Sequence, residues 1–483
     1  MSKFDFSNIS NSFRILTNEK IESIFSGAIH VLEKTGVRVE DENALKVFAD
    51  GGAEVDFQNR KVRIPEHLVK DSIAKTPSEI KLWYRTGKEA VTIGGRNTVF
   101  LPGSSAVKIL DAETLQARKP TSSDQADLAK LVDALPCISV NSGPLVVSDV
   151  PPELCDRYRM YPVLKNSIKP IITGAYSVDG LIDMIEMVKI VMGDDSTKKP
   201  IFSNMSCPTS PLMLGSLICR AVMICAREGI PVTIIPAPIS GGTAPATLAG
   251  TLVIAACEAL STIVLGQIVN PGSAFIYGGS PGIMEMRYGT MVLGAIETIM
   301  MNCAHNEIGK YLGIPTHGYL GLSDSKIVDA QAGIESALGI IFAVLTEVNA
   351  VSGPGMLEFE SCQSLEKLVI DNEICKIALR LKEGIKVDNE TLALEVISNV
   401  GPGGEFLTKK HTHEWFKKEQ ILPTNVIDRV VREKWTELGC KDTAQRAREI
   451  AKKLIKEHKP EPLPKTVEEK LDDLIHKLHT KYK

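Results

Sequence analysis

The stretch Pro231-Val-Thr-Ile-Ile-Pro-Ala-Pro-Ile-Ser240 is a short β-branched run that breaks into a Pro/Ser turn. An apolar helical stretch over 245–268 follows it, and then a second β-rich run at 274–277. Strand, turn, helix and strand in that order is the unit of a parallel sheet, because parallel neighbours need a crossover between them. The same rhythm extends in both directions. It predicts strands at 99–102, 137–141, 170–174, 200–204, 231–236, 274–277, 316–320 and 348–352. Helices are predicted near 121–135, 151–165, 178–193, 211–228, 245–268, 289–312, 326–346 and 361–383. Eight strands alternating with eight helices point to an α/β fold of the (β/α)8 TIM-barrel type. An open doubly wound sheet is the competitor; it would place a Gly-rich phosphate turn after its first strand, and no GxGxxG stands at a strand end.

The expected organisation has three parts. Residues 1–98 form an N-terminal region of helix (20–34 is amphipathic) and short strands near 60–64 and 79–84. Residues 99–383 form the barrel, and 384–483 a mostly helical C-terminal extension. A Pro-rich break, Lys459-Pro-Glu-Pro-Leu-Pro464, sets off a last helix at 467–482, which packs either on its own barrel or on a neighbouring subunit.

Composition narrows the function. The 483 residues carry a formal net charge of −4, and the Lys and Arg of the last sixty residues are interleaved with Asp and Glu. That excludes a nucleic-acid partner, which needs a clustered basic face. The opening Met1-Ser-Lys-Phe-Asp-Phe-Ser-Asn-Ile-Ser10 lacks the order of a signal peptide. The apolar run 246–269 has the length of a membrane span, but Glu258 and Gln267 interrupt it, so a buried helix and no membrane association are expected. The ten cysteines form no CxxC pair, which fits a reducing cytoplasm and no structural zinc. His411-Thr-His413-Glu414 is the one tight His cluster, yet i and i+2 side chains on a helix point apart, so no metal site is expected.

In a barrel the chemistry gathers at the C-terminal strand ends. Here these read Gly103-Ser-Ser105, Ser142-Gly143, Gly174-Ala-Tyr176, Ser206-Cys-Pro-Thr209, Pro236-Ala-Pro-Ile-Ser240, Tyr277-Gly-Gly-Ser280, His317-Gly-Tyr319 and Gly353-Pro-Gly355, the last followed by Glu358 and Glu360. This mouth is rich in Gly, Ser and Pro and poor in titratable groups. It holds no acid/base carboxylate pair, no serine nucleophile elbow and no Schiff-base lysine. Chemistry that needs little proton transfer suits it, such as methyl displacement from a cationic nitrogen. Tyr176, Tyr277, Tyr319 and Phe359 are candidate rings for a quaternary ammonium. Rim packing is the competing role for each ring.

Several phrases, taken in order, resemble the trimethylamine methyltransferase family of corrinoid-dependent enzymes. They are Leu32-Glu-Lys-Thr-Gly-Val-Arg-Val39, Gly51-Gly-Ala-Glu-Val55, Val62-Arg-Ile-Pro-Glu66 and Ile239-Ser-Gly-Gly-Thr-Ala-Pro-Ala-Thr-Leu-Ala-Gly250. Asn270-Pro-Gly272, Tyr277-Gly-Gly-Ser280, Met284-Glu-Met-Arg287, Ser323-Asp-Ser-Lys-Ile-Val-Asp-Ala-Gln-Ala-Gly-Ile-Glu335 and Leu365-Glu-Lys-Leu-Val-Ile-Asp-Asn-Glu373 continue the series. The resemblance implies methyl transfer from an amine to Co(I) of a corrinoid held by a separate, cognate protein. A homo-oligomer is expected. Family members that use trimethylamine carry pyrrolysine near the seventh strand's end, whereas Gly318-Tyr-Leu-Gly-Leu-Ser-Asp324 contains only ordinary residues.

This departure favours a quaternary donor of the glycine betaine type, whose leaving group is already a neutral tertiary amine. Within that reading His317 and Arg287 are candidates for the donor's carboxylate, and Glu358 or Glu360 for its ammonium. No DxHxxG cobalamin signature is present, so no stably bound corrinoid is expected. A zinc-dependent methanol- or thiol-type corrinoid methyltransferase and a non-catalytic betaine-binding scaffold stay open as alternatives.

Overall fold

The computed structural model describes residues 13–482; the opening decapeptide read above lies outside them. The chain has an α/β fold organised around parallel strands: β1 Val99–Leu101, β2 Ile171–Thr173, β3 Phe202–Ser206, β4 Val232–Ile234, β5 Phe275–Tyr277, β6 His317–Tyr319 and β7 Ala350–Ser352. Each is buried along its whole length, as strands covered on both faces must be. The ladder runs β2–β3–β4–β5, with Phe202 opposite Ile171, Asn204 opposite Val232 and Val232 opposite Phe275. A bridge from Tyr277 to Thr316 carries it to β6, and β6 pairs β7, which pairs β1. Two further parallel bridges, Phe100 to Ile138 and Asn141 to Ile171, lead from β1 back to β2.

The segment expected as a strand at 137–141 therefore makes bridges but no strand. The Phe100 carbonyl accepts from both Ser139 N–H at 2.9 Å and Val140 N–H at 3.2 Å, an irregular pairing, and only Asn141 is paired towards Pro170 and Ile172. The Asn141 side chain then accepts from the N–H groups of Ser142 and Gly143 and turns the chain that follows. The helix expected over 151–165 is also broken up. Pro151-Pro152 permits only short turns at Pro152–Leu154 and Arg157–Arg159 before a helix at Tyr161–Asn166.

Between the strands lie α1 Ser122–Ala134, α2 Val178–Met192, α3 Ser216–Glu228, α4 Leu248–Val269, α5 Ile296–Tyr311, α6 Ala330–Leu345 and α7 Leu365–Glu383. Thr121 closes a capping box on α1, and Ser177, Asp329 and Ser364 cap α2, α6 and α7. Three helices start later than the sequence predicts because short β pairings occupy their first residues. Met213–Leu214 pairs with Val37–Val39 of the N-terminal region, Gly282–Glu285 with Thr290–Val292, and Met356–Leu357 with Cys362–Gln363.

The apolar α4 is the one described helix with the length and hydropathy of a membrane span, and it is mostly buried in the protein. Phe275 packs against its Gly266, and an N-terminal helix, Asn18–His30, lies along it, with the Cys257 thiol on the Ala28 carbonyl at 3.4 Å. At the other end of the chain, the helix Thr443–Glu457 packs on α7 and α1 and buries Ala447 and Ala451. The last helix, Lys465–Lys481, packs on its own chain: Asp472 takes Tyr161 Oη at 2.7 Å and Lys165 Nζ at 2.9 Å, and Tyr158 Oη meets His479 Nε2 at 2.9 Å.

Candidate functional site

Alternation along the strands decides which side chains reach the interior. On β5, Ile276 joins the inner core with Met205 and Tyr319, while Phe275 and Tyr277 belong to the layer between strands and helices. Tyr277 is fully buried there; its ring stacks on His305 of α5 at 4.4 Å and crowds Gly309 one turn further on. It is not a mouth residue, because its position on the pleat turns it outward.

His317 is also fully buried. Its Nε2 meets Ser352 Oγ at 2.7 Å, and burial pushes its pKa down to about 3, so it is neutral and offers no cation to a carboxylate. Arg287 sits at the exposed tip of the 282–292 hairpin, where Nε and Nη2 both grip Glu285 at 2.8 Å. Its fork is already filled by a carboxylate.

The remaining candidates converge. The loop after β7 makes a tight turn in which Glu358, Phe359 and Glu360 all have left-handed backbone, with φ of 53°, 55° and 68°. Three consecutive non-glycine residues in that region store strain, which persists only when the surroundings enforce it. Glu358 turns outward to Lys108 at 2.8 Å, and the Phe359 ring lies under Lys326 Nζ at 4.3 Å. Glu360 turns inward, and its Oε1 accepts from the backbone N–H of Ser104 at 3.0 Å. Burial raises its carboxyl to about 8, while the Ser104 N–H, Arg159 and Tyr319 pull the other way.

Tyr319 lies in the same cluster, its ring edge-on to His317 at 5.2 Å and its hydroxyl towards Met205 Sδ at 3.9 Å; burial, then the Glu360 carboxyl, raise its pKa well above the usual phenol value. Cys207 touches solvent yet lies deep among these groups, and burial, then Glu360, raise its thiol to about 11. A side chain open to water but hemmed in by protein marks a concave site. Tyr176 is half-exposed at the edge, with its hydroxyl on Ser105 Oγ at 3.1 Å.

Sequence reasoning missed the centre of this cluster, Arg159. The guanidinium is buried, with Nε on the Gly143 carbonyl at 3.0 Å, Nη1 on the Gly174 carbonyl at 3.0 Å and Nη2 on Ser104 Oγ at 2.5 Å. It thus ties together the loops that follow β1, the 138–141 segment and β2. Gly143 has φ +52°, and a side chain there would run into the Arg159 carbonyl. The signal was present in Arg157-Tyr-Arg159, two cations in a strand-to-helix connection, but it was absorbed into an expected helix. Among the described residues, no group of three or more His, Cys, Asp or Glu converges in a metal-binding arrangement.

Residues 4–482 match the family model described as trimethylamine methyltransferase (MTTB). The chain belongs to this family. It is 33% identical to the trimethylamine methyltransferase MttB of Desulfitobacterium hafniense (strain DSM 10664 / DCB-2), over 96% of this chain and 94% of that one. It is 32% identical to the glycine betaine methyltransferase of Desulfitobacterium hafniense (strain Y51), over 96% of each. MttB of Methanosarcina thermophila is 34% identical over 93% of this chain and 94% of its own. Among solved structures, the hydroxylamine complex of MtmB shares the fold with a TM-score of 0.52 at 14% identity, over 97% of this chain and 90% of that one. This trimethylamine methyltransferase family member is therefore an enzyme, a methyltransferase, and the cluster around Arg159 and Glu360 is its candidate active site.

Proposed function

We propose that this methyltransferase takes a methyl group from a betaine-type quaternary amine and delivers it to the Co(I) corrinoid of a separate, cognate protein. The observation that carries the reading is the inward-facing Glu360 carboxyl, set beside the Tyr319 ring at the strand ends. A quaternary nitrogen needs a counter-charge and an aromatic or apolar wall, and each cation–ring contact is worth about 0.5–2 kcal/mol depending on desolvation. The rest of the cluster suits displacement rather than acid/base work, since the nearby imidazole is neutral and the phenol and thiol are held protonated. Ordinary residues at 318–324, where the trimethylamine users of the family carry pyrrolysine, support a donor that is already activated.

The chain's own part is to position and desolvate the donor. As the methyl carbon leaves, the electron pair of the broken bond stays on nitrogen, so glycine betaine would depart as dimethylglycine. We further read the parallel pairings as a closed (β/α)8 barrel over 99–383 with appendages 1–98 and 384–483, acting in the cytoplasm. A homo-oligomer is supported by the exposed apolar side chains of 385–438, among them Ile385, Val387, Leu394, Leu407 and Val431.

The test supplies the purified enzyme and its reduced corrinoid protein with either donor and follows the corrinoid's visible spectrum. Methylation by glycine betaine and none by trimethylamine is expected; efficient turnover of trimethylamine would overturn the reading. The enzyme alone should carry no corrinoid absorption through gel filtration.

A further inference from the structure

The site contains a second charge that the ammonium does not use. Arg159 is buried, and its acceptors are two backbone carbonyls and one hydroxyl; among the described residues no carboxylate lies within 4.0 Å of it. A guanidinium has five N–H donors. Among the described residues the three hydrogen bonds leave one N–H on each terminal nitrogen without an acceptor. Keeping a cation out of water with neutral partners alone is costly, and a fork of this kind binds carboxylates in a bidentate way.

Ser104 joins this cation to Glu360: its hydroxyl accepts from Arg159 and its backbone N–H donates to the carboxyl. The guanidinium and the carboxyl thus flank one residue without touching each other. Tyr176 covers the guanidinium, with its ring centroid 5.2 Å from the Arg159 Cζ, and among the described residues its hydroxyl makes one hydrogen bond, with Ser105 Oγ. Backbone strain gathers here as well, since Ser105 (φ 66°) and all of 358–360 are left-handed.

From this arrangement we infer that Arg159 reads the donor's carboxylate while Glu360 takes its ammonium, which makes Arg159 the specificity-determining residue for zwitterionic over simply cationic donors. The inference rests on the quaternary-amine reading above and adds a second, independent contact to it. A donor enters by displacing the Tyr176 ring from the guanidinium. The carboxylate then supplies a counter-ion that Gly143, Gly174 and Ser104 do not.

Calorimetric binding to the whole enzyme, without corrinoid protein, separates the two ends of the donor. Three probes suffice: glycine betaine carries both charges, choline the cation alone and 3,3-dimethylbutyrate the carboxylate alone. Arg159→Gln should weaken glycine betaine and dimethylbutyrate by roughly 10- to 100-fold, the range of a charge-assisted contact, and leave choline within about threefold. Arg159→Lys should restore part of the loss. An equal loss for glycine betaine and choline, or no loss for either, overturns the inference. Should Arg159→Gln fail to fold, the wild type still decides, because glycine betaine binding no tighter than choline also overturns it. Methyl transfer from glycine betaine with no donor discrimination by Arg159 sinks this inference and leaves the functional reading standing. Discrimination in binding without any transfer does the reverse.

Discussion

Replacing Glu360 by Gln removes the group expected to meet the donor's ammonium and should erase a specific pH dependence. With its carboxyl raised to about 8 by burial, Glu360 is ionised in roughly one molecule in ten at pH 7 and nine in ten at pH 9. A cation that needs the carboxylate binds with an apparent affinity reduced by that fraction. Choline or glycine betaine should therefore bind about tenfold tighter at pH 9 than at pH 7, and about tenfold weaker again at pH 6. Binding at pH 7 should release close to one proton, measurable by calorimetry in buffers of different ionisation enthalpy. Arg159, Tyr319 and Cys207 face the same carboxyl; the phenol is held well above its usual value and the thiol at about 11, so neither of these two loses a proton in this window.

Glu258, Glu307 and Lys310, each near 7, titrate elsewhere in the protein, so the difference between wild type and Glu360→Gln is the quantity to compare. Stability should move with the opposite sign. The folded value lies above the ordinary 4.5, so Glu360 opposes folding increasingly as pH rises from 4.5 through about 8. Glu360→Gln should thus gain urea resistance over wild type at pH 8.5 and not at pH 4.5. Donor affinity that is flat from pH 6 to 9, or that keeps its slope in Glu360→Gln, would refute the assignment.

Lys367 and Asp371 form a fully buried pair at 2.6 Å that also holds the Gly321 carbonyl and the Gly355 N–H. Lys367→Met alone should cost about 3–5 kcal/mol in urea unfolding, and adding Asp371→Leu should recover most of it. Equal losses in the single and double variants would argue against a stranded charge. Tyr277→Ala should lower stability by about 3–5 kcal/mol, as expected for a buried ring against α5, and leave the donor affinity of the folded fraction intact. A selective loss of affinity with normal stability would return Tyr277 to the mouth. At Gly339, a Cβ would overlap the Leu320 carbonyl oxygen, so Gly339→Ala should cost at least about 1–3 kcal/mol by overpacking α6 against the loop after β6. Unchanged thermal denaturation would show that the helix can step back.

The local chain settled a good deal by itself. β-branched runs such as Ile171-Ile-Thr173 and Val232-Thr-Ile234 specify buried parallel strands, and the caps Thr121, Ser177, Asp329 and Ser364 start the helices that follow turns. These are short-range matters of propensity and hydrogen bonding, so they are written in the residues concerned. The proposed donor site is not of that kind. Glu360, Tyr319 and Tyr176 could be nominated because they stand at strand ends, but Tyr277 and His317 stand there too: Tyr277 leaves its strand towards α5, while His317 shares the face of Tyr319 and is enclosed beside Ser352. Arg159 looked like one more polar residue in a helix until its acceptors, at Ser104, Gly143 and Gly174, were brought in from three separate loops. The sequence determines where the backbone turns. Only the tertiary structure, by removing water from some of these groups and leaving others at the edge of the cleft, decides which of them hold a charge where a donor can meet it.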